Sequence, residues 1–221
     1  SPNFEILNVL LNTNTDNKFN DYAQIKKMKI YVNIKNLHNQ NKLNIKNIVI
    51  SEANFNINKN SYNYINSYFK KKISNKKIQI KKSKIFFREN NSKKNVVTLS
   101  TINKAMLLYN QKNNSNKMII EGSIYNTKYN LTLLRNLYKK DTTDLKIEFK
   151  KLNAIIKNTF SKDQNIESNY NGKTSINFSG TDINSNYKIV DHLISFQSEN
   201  SKLNNKIIEF KGEINTSPFY Y

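Results

Sequence analysis

Alternation with period two over residues 77–129 constrains this chain more than any other feature. The stretch begins KIQIKKSKIFFREN, continues NVVTLSTINKAMLLYN and closes NKMIIEGSIYNTKY. Ile78 and Ile80 alternate with polar residues, as do Ile85 and Phe87, Val97 and Leu99, Leu107 and Tyr109, and Met118, Ile120, Gly122 and Ile124. Successive side chains of a strand point to opposite faces, so each segment gains one apolar and one wet face. Polar breaks at Glu89 to Ser92 and Gln111 to Asn116 separate the segments. The pattern predicts a meander of antiparallel strands with one buried face.

The flanks extend it. Met28, Ile30, Val32 and Ile34 fall on one face of a strand between Tyr22 and Leu37. Leu43 and Ile45 then alternate, the register slips by one at Asn47, and Ile48 and Ile50 resume, which calls for a bulge or bend. Phe55 and Ile57 read as a further short strand, and residues 4–11, FEILNVLL, as a buried strand or a short helix. Tyr129, Leu131 and Leu133 alternate, as do Leu145, Ile147 and Phe149. Ile176 and Phe178 lie between Gly172 and Gly180, and Leu193 or Ile194 pairs with Phe196. Two segments switch to helical spacing: Tyr64, Ile65, Tyr68 and Phe69, with Ser61 as N-cap and Lys70 to Lys72 at the C-terminus, and Leu152, Ile155, Ile156 and Phe160. Apolar residues make up only 37% of the chain, below the usual ~45–50%, and a thin core suits a single curved layer. The expected fold is mainly β: an elongated, curved antiparallel sheet, a groove or half-pipe, with one or two short helices.

The end of the chain echoes its middle. NKMIIEGSIYNTKYNL (116–131) parallels NKIIEFKGEINTSPFYY (205–221), with Gly122 matching Gly212 and Ile124 matching Ile214. Either a narrow residue alphabet inflates self-similarity, or a β-hairpin unit repeats. The second reading makes 1–221 a single elongated β-rich segment of a longer protein with repeat units at about 22–135 and 140–221. It also makes both glycines candidates for close packing or a sheet bend.

Net charge is +20, from 36 Lys and Arg against 16 Asp and Glu. Such an excess attracts nucleic acid or an anionic membrane surface. A second cause competes: Asn supplies about a fifth of the chain, and Asn, Lys and Ile share AT-rich codons. With no Cys, disulfides and thiolate metal sites are excluded. His38 and His192 have no ligand-like spacing, and Asp141 with Asp144 falls short of the six to eight oxygens calcium takes. No carboxylate pair or other constellation assigns a reaction, so neither an enzyme nor a cofactor is expected. Tyr and Lys interleave in SYNYINSYFKKK, which supports the alternative of a basic nucleic-acid-binding protein with stacking rings, although the Lys are spread along the chain. No run of ~18 apolar residues is present to span a membrane. There is no starting Met and no signal pattern, and the chain stops at Phe219 to Tyr221 in what reads as a strand, so it is expected to be a piece cut from a longer protein.

The order of these segments resembles the N-terminal region of the AsmA-like family, bridge-like lipid-transfer and outer-membrane assembly proteins of bacteria. The family shows an alternating strand, then L-x-I-x-x-I-x-I and F-x-I, a short helix with N-Y-x-x-I, then I-x-I-x-x-S-x-I-x-F, a hairpin, and I-x-G-x-I before Y-x-L. Here those phrases are Leu43-Ile45-Ile48-Ile50, Phe55-Ile57, Asn63-Tyr64-Ile65, Ile78-Ile80-Ser83-Ile85-Phe87, and Ile120-Gly122-Ile124 with Tyr129-Leu131. The match covers roughly residues 22–135, and the family's N-terminal membrane anchor is missing from this stretch. The resemblance implies a non-catalytic lipid-binding or lipid-transfer segment in the bacterial periplasm, anchored to the inner membrane in the full-length protein. It also implies that the segment shields phospholipid acyl chains in an apolar β-groove. On that reading the partners are phospholipid or another lipid, the membrane, and envelope proteins, with nucleic acid not among them. The groove candidates are Met28, Ile30, Val32, Ile34, Ile78, Ile80, Phe87, Val97, Leu99, Met118, Ile120 and Ile124; packing into a closed core is the competing role for each.

Overall fold

The computed structural model describes residues 2–15, 18–33, 44–88, 95–138, 142–162 and 169–215. The chain is mainly β, and its two compact units are each built on an open, curved sheet. The first unit comprises residues 1–112 and 116–128; the second comprises 113–115 and 129–221.

In the first unit the strands are β1 (Asn3–Thr15), β2 (Lys18–Val32), β3 (Ile45–Ile57), β4 (Lys77–Arg88), β5 (Val96–Asn110) and β6 (Ser115–Ile124), hydrogen-bonded in that order. The ambiguous FEILNVLL is strand β1, paired along its length with β2. The slip expected at Asn47 is a bulge. Tyr31 pairs with Asn47 and Val32 with Ile45, which leaves Lys46 as the extra residue. Phe55 and Ile57 are not a separate strand but the end of β3, because the break at Glu52 is a kink rather than a turn. Glu52 has φ 55°, and its row across the sheet holds two more left-handed residues, Asn8 at 54° and Lys82 at 48°. The apolar positions change parity across this row. Ile30 and Met28 lie on one side, Ile25 and Ala23 on the other. A left-handed residue is where a strand can reset its alternation without a loop.

Not every pair is antiparallel. β3 and β4 run parallel, joined by the helix α1 (Lys59–Phe69) as a crossover. Its N-cap is Asn58 rather than Ser61. Asn58 Oδ1 accepts from the Ser61 N–H, and Ser61 Oγ accepts from the Asn58 N–H. Both residues suit a cap, but Asn58 has the extended backbone an N-cap requires, so Ser61 takes the reciprocal place three residues on. At the other end the fully buried Asn116 of β6 donates from Nδ2 to the carbonyls of Phe69 (2.8 Å) and Lys71 (2.7 Å). Its Oδ1 accepts from the Ile73 N–H (3.2 Å). One side chain thus satisfies backbone groups that the end of the helix leaves open. Within the parallel pair, Ser83 Oγ accepts from the Ala53 N–H and donates to the Lys81 carbonyl, closing the ladder beside the kinked row. The core here is built on small side chains: Ala23, Ala53 and Ala105 are buried with Ile25, Val32, Ile102 and Ile120.

The second unit contains β7 (Thr127–Asn136), β8 (Thr142–Phe149), β9 (Ala154–Lys162), β10 (Tyr170–Phe178), β11 (Thr181–Val190), β12 (Leu193–Ser198) and β15 (Lys211–Asn215), in that order. β13 (Ser201–Leu203) and β14 (Lys206–Ile208) form a small hairpin beside β11. Its turns follow side-chain chemistry. Ser179 and Gly180 both have positive φ, as do Asn204 and Asn205, which is the type I′ requirement for a two-residue hairpin. The helix expected around Leu152 to Phe160 is absent. A single 3-10 turn (Lys150–Leu152) ends on left-handed Asn153, and Ile155, Ile156 and Phe160 belong to β9. Their helical spacing arises because Ile155 faces away from Ile156 and Phe160 in a strand paired on both sides.

Candidate functional site

The register of the second unit sorts its residues into cross-strand rows without interruption. One row is Leu131, Ile147, Ile156, Ile176 and Ile183, contributed by β7 to β11 in turn. Two residues further along the strands, and so on the same face, lie Tyr129, Phe149, Ala154 and Phe178. In the opposite direction a row of Phe160, Gly172, Tyr187, Phe196 and Gly212 crosses β9 to β15. Beyond it come Tyr170, Ile189, Ile194 and Ile214. The rings touch along this face: Tyr129 with Phe149, Phe160 with Tyr170, and Phe196 with Phe210, each at 6.3 Å between centroids.

The other face is polar. Its rows include Asp144, Thr159, Lys173, Asn186, Gln197 and Lys211, and Thr142, Ser161, Asn171, Lys188, Ser195 and Glu213. A depression of about 970 Å³ is lined by residues of these two rows and of the Phe160, Gly172, Tyr187, Phe196 and Gly212 row between them. Thr159 Oγ1 donates to Asp144 Oδ1 (2.7 Å), and Lys173 pairs with Glu199 (3.1 Å).

No apolar side chain among the described residues of this unit is buried; the buried ones all belong to the first unit. Phe178 and Ile214 are about half exposed, and the aliphatic row is half-buried. Seven strands ~4.8 Å apart and five rows ~6.8 Å apart give a face on the order of 29 by 27 Å. Exposed apolar patches beyond a few hundred Å² mark interaction surfaces.

The glycines explain how the aromatic row lies flat. A Cβ on Gly172 would meet the Tyr187 ring at 2.2 Å, and one on Gly212 would meet the Phe196 ring at 2.8 Å. Each ring therefore lies across the neighbouring strand where no side chain stands. Tyr187 reaches over β10 and donates from its hydroxyl to Asn158 Oδ1 on β9 (3.0 Å). Burial pushes the Tyr187 phenol above its ordinary value. Gly212 has no positive φ, so its role is this close approach and not a left-handed bend.

The residues expected to line a groove are distributed otherwise. Ile30 and Ile78 share one row of the first unit and Met28 and Ile80 another on the same face, all half-buried. Val32 and Ile120 are buried in its core, whereas Val97 and Leu99 are exposed. Phe87 sits one row from Leu99 and therefore on the opposite face. Met118 and Ile124 are half-buried on β6, and Ile34 lies outside the described residues. The face of the second unit was missed as a site, although Leu131, Ile147, Ile176 and Phe196 carry the same alternation.

Several of the acids are paired with lysines. Glu5 takes hydrogen bonds from Lys27 (3.0 Å) and Lys29 (3.2 Å), and Lys26 pairs with Glu52 (2.8 Å). The lysine hydrogen bonds hold the carboxyls of Glu5, Glu52, Glu148 and Glu199 below the usual range. Among the described residues no three of His, Asp and Glu gather as metal ligands, and no helix is long and apolar enough to cross a membrane. No family model matches the sequence, and comparison with curated proteins gives no match.

Proposed function

We propose that this chain is a non-catalytic lipid-binding or lipid-transfer segment of an AsmA-like envelope protein, shielding phospholipid acyl chains on the apolar sheet face of its second unit. The observation that carries the reading is the uncovered row of Leu131, Ile147, Ile156, Ile176 and Ile183 on a unit with no buried apolar side chain among its described residues. A sheet that spends its aliphatic side chains on an open face gains their burial only when something apolar lies on them. Each methylene moved out of water contributes about 0.8 kcal/mol, so a dozen supply roughly 10 kcal/mol before the costs of association. Movement along such a face needs no reacting group. The periplasm, with an inner-membrane anchor in the longer protein, is the location this function calls for, and support of outer-membrane assembly its outcome.

The alternative is a basic nucleic-acid-binding protein, favoured by the net charge and by Lys173, Lys188 and Lys211 around the depression. One pair of measurements separates them. The purified chain is extracted with organic solvent for mass spectrometry, and its DNA affinity is measured across a salt series. Co-purified phospholipid that disappears in Ile156→Asp/Ile176→Asp supports the lipid reading. Absence of lipid together with tight DNA binding that falls steeply with salt overturns it.

A further inference from the structure

The edge strand of the first unit is built unlike the strands behind it. β1 pairs with β2 on one side, and among the described residues no strand pairs with its other side. Long open edges are usually protected by lysine, by proline or by being short. The last strand of the second unit fits that rule: β15 has five residues, among them Lys211 and Glu213. β1 does not. It runs for 13 residues, NFEILNVLLNTNT, with neither Lys nor Arg, in a chain that carries 36 of them. Its single charged side chain, Glu5, is held by Lys27 and Lys29 of β2. Its apolar side chains stand on both faces of the sheet. Ile6 heads the apolar row of Met28, Ile50 and Ile80. Leu7, by contrast, heads the polar row of Lys27, Ser51 and Lys81, and Leu10 that of Gln24, Asn54 and Lys84. Phe4, Ile6, Leu7 and Leu10 are all exposed, Leu7 by 59%.

The sheet gives Leu7 and Leu10 no apolar cross-strand neighbour on their own face, so their burial needs a further strand on the open edge. We infer that this edge is closed by the same strand of a second copy, the two β1 strands pairing antiparallel about a twofold axis. Charge selects a second copy: two chains of net charge +20 can approach closely only along a strip free of lysine, and β1 is such a strip. Register selects it as well. The change of parity at left-handed Asn8 puts Phe4, Ile6, Val9 and Leu11 on one face and Leu7 and Leu10 on the other. Antiparallel pairing that sets Leu7 opposite Leu10 of the other copy also sets Ile6 opposite Leu11, like face on like face. Pairing two residues away would set Leu10 against Glu5 instead. The twofold axis makes each contact twice, so four leucines, two from each copy, cover one another on the polar face. Backbone hydrogen bonds along the strand supply the rest of the contact. Such an isologous contact uses up both edges and stops at two copies. It is independent of what the second unit binds.

The test is sedimentation velocity of the purified chain over a dilution series. A dimer is expected at micromolar concentration, and its dissociation constant should rise at least about tenfold in Leu7→Lys/Leu10→Lys, which supplies the charges this edge lacks. Both side chains are exposed, so the variant should keep the far-UV circular dichroism of the wild type. Register is read by disulfide crosslinking, for which the chain offers no competing Cys. A mixture of Leu7→Cys and Leu10→Cys chains should link on mild oxidation, because directly opposed positions bring their Cβ atoms within about 4.5–5.5 Å. Neither variant alone should link, since neither position faces itself across the axis. A chain that stays monomeric, assemblies that grow beyond two copies, a dimer unaffected by the two lysines, or links formed as readily by either cysteine variant alone overturns the inference.

Discussion

Gly172, Tyr187 and Asn158 act as one device on three adjacent strands. Gly172→Ala places a methyl within the Tyr187 ring and forces it off Asn158. The expected cost is about 1–3 kcal/mol by urea denaturation, and Tyr187→Ala in the same chain removes the methyl's penalty, so the pair couples. The phenol also contributes to the alkaline limit, as does that of Tyr22, which burial likewise pushes up. Its folded pKa lies above the ordinary value of 10.0 because burial disfavours the phenolate. Its stabilisation is therefore complete below pH ~10 and declines as pH rises through the folded value. For the glutamates the sign reverses. Glu5, Glu52, Glu148 and Glu199 have lowered values, so their contribution is present above the ordinary carboxylate range and lost as pH falls through the folded ones. A stability profile from pH 3 to 11 checks both, and the acid limb should weaken with added salt because these carboxylates are exposed. A narrower alkaline limb in Tyr187→Phe is not expected: removing the titrating group should broaden it. The sequence marked Gly172 and Gly212 as special positions, but period-two spacing cannot say which ring of a neighbouring strand will lie on each glycine.

At the level of elements, the helix and its tether decide how the parallel pair β3 and β4 is held. Asn58→Ala removes the N-cap and is expected to cost about 1 kcal/mol. Asn116→Leu leaves the Phe69 and Lys71 carbonyls and the Ile73 N–H without their partner. At about 1–3 kcal/mol for each buried group left unpaired, the loss should be at least about 2 kcal/mol and larger than that of Asn58→Ala. Chemical denaturation of both variants settles the order. The helix itself was legible, because Tyr68 and Phe69 follow Ile65 at helical spacing. Its clamp was not, because Asn116 is one of many asparagines in the chain and only the fold brings it beneath the Phe69 carbonyl. β9 shows the opposite failure. Ile155 and Ile156 adjoin because one faces each side of the sheet, and with Phe160 that pair imitates a helical stripe. The echo of 116–131 in 205–221 also divides at this scale. Asn116 is a buried strand residue, whereas Asn205 is a left-handed turn residue between β13 and β14.

At the scale of the whole chain, the two units respond differently to the same kind of substitution. Ile25→Ala in the first unit empties a buried site and should cost about 2–5 kcal/mol. Ile156→Asn in the second unit alters a half-buried residue on an uncovered face, and its cost should stay near 1 kcal/mol by the same denaturation measurement. Equal costs would show that the face is packed in solution. The amino-acid sequence by itself determined that the chain is β-rich and that most of its strands present an apolar side. Those properties follow from local alternation and turn chemistry. Only the tertiary structure decided which apolar sides are closed and which are open. Val32 and Ile120 are buried while Ile147 and Ile176 are not, although all four stand in similar alternating runs. Alternation fixes the direction of a side chain relative to its own strand. What lies above that strand depends on residues distant in sequence, and the register that aligned Asn158, Thr174 and Ser185 into one stripe exists only once the strands have paired.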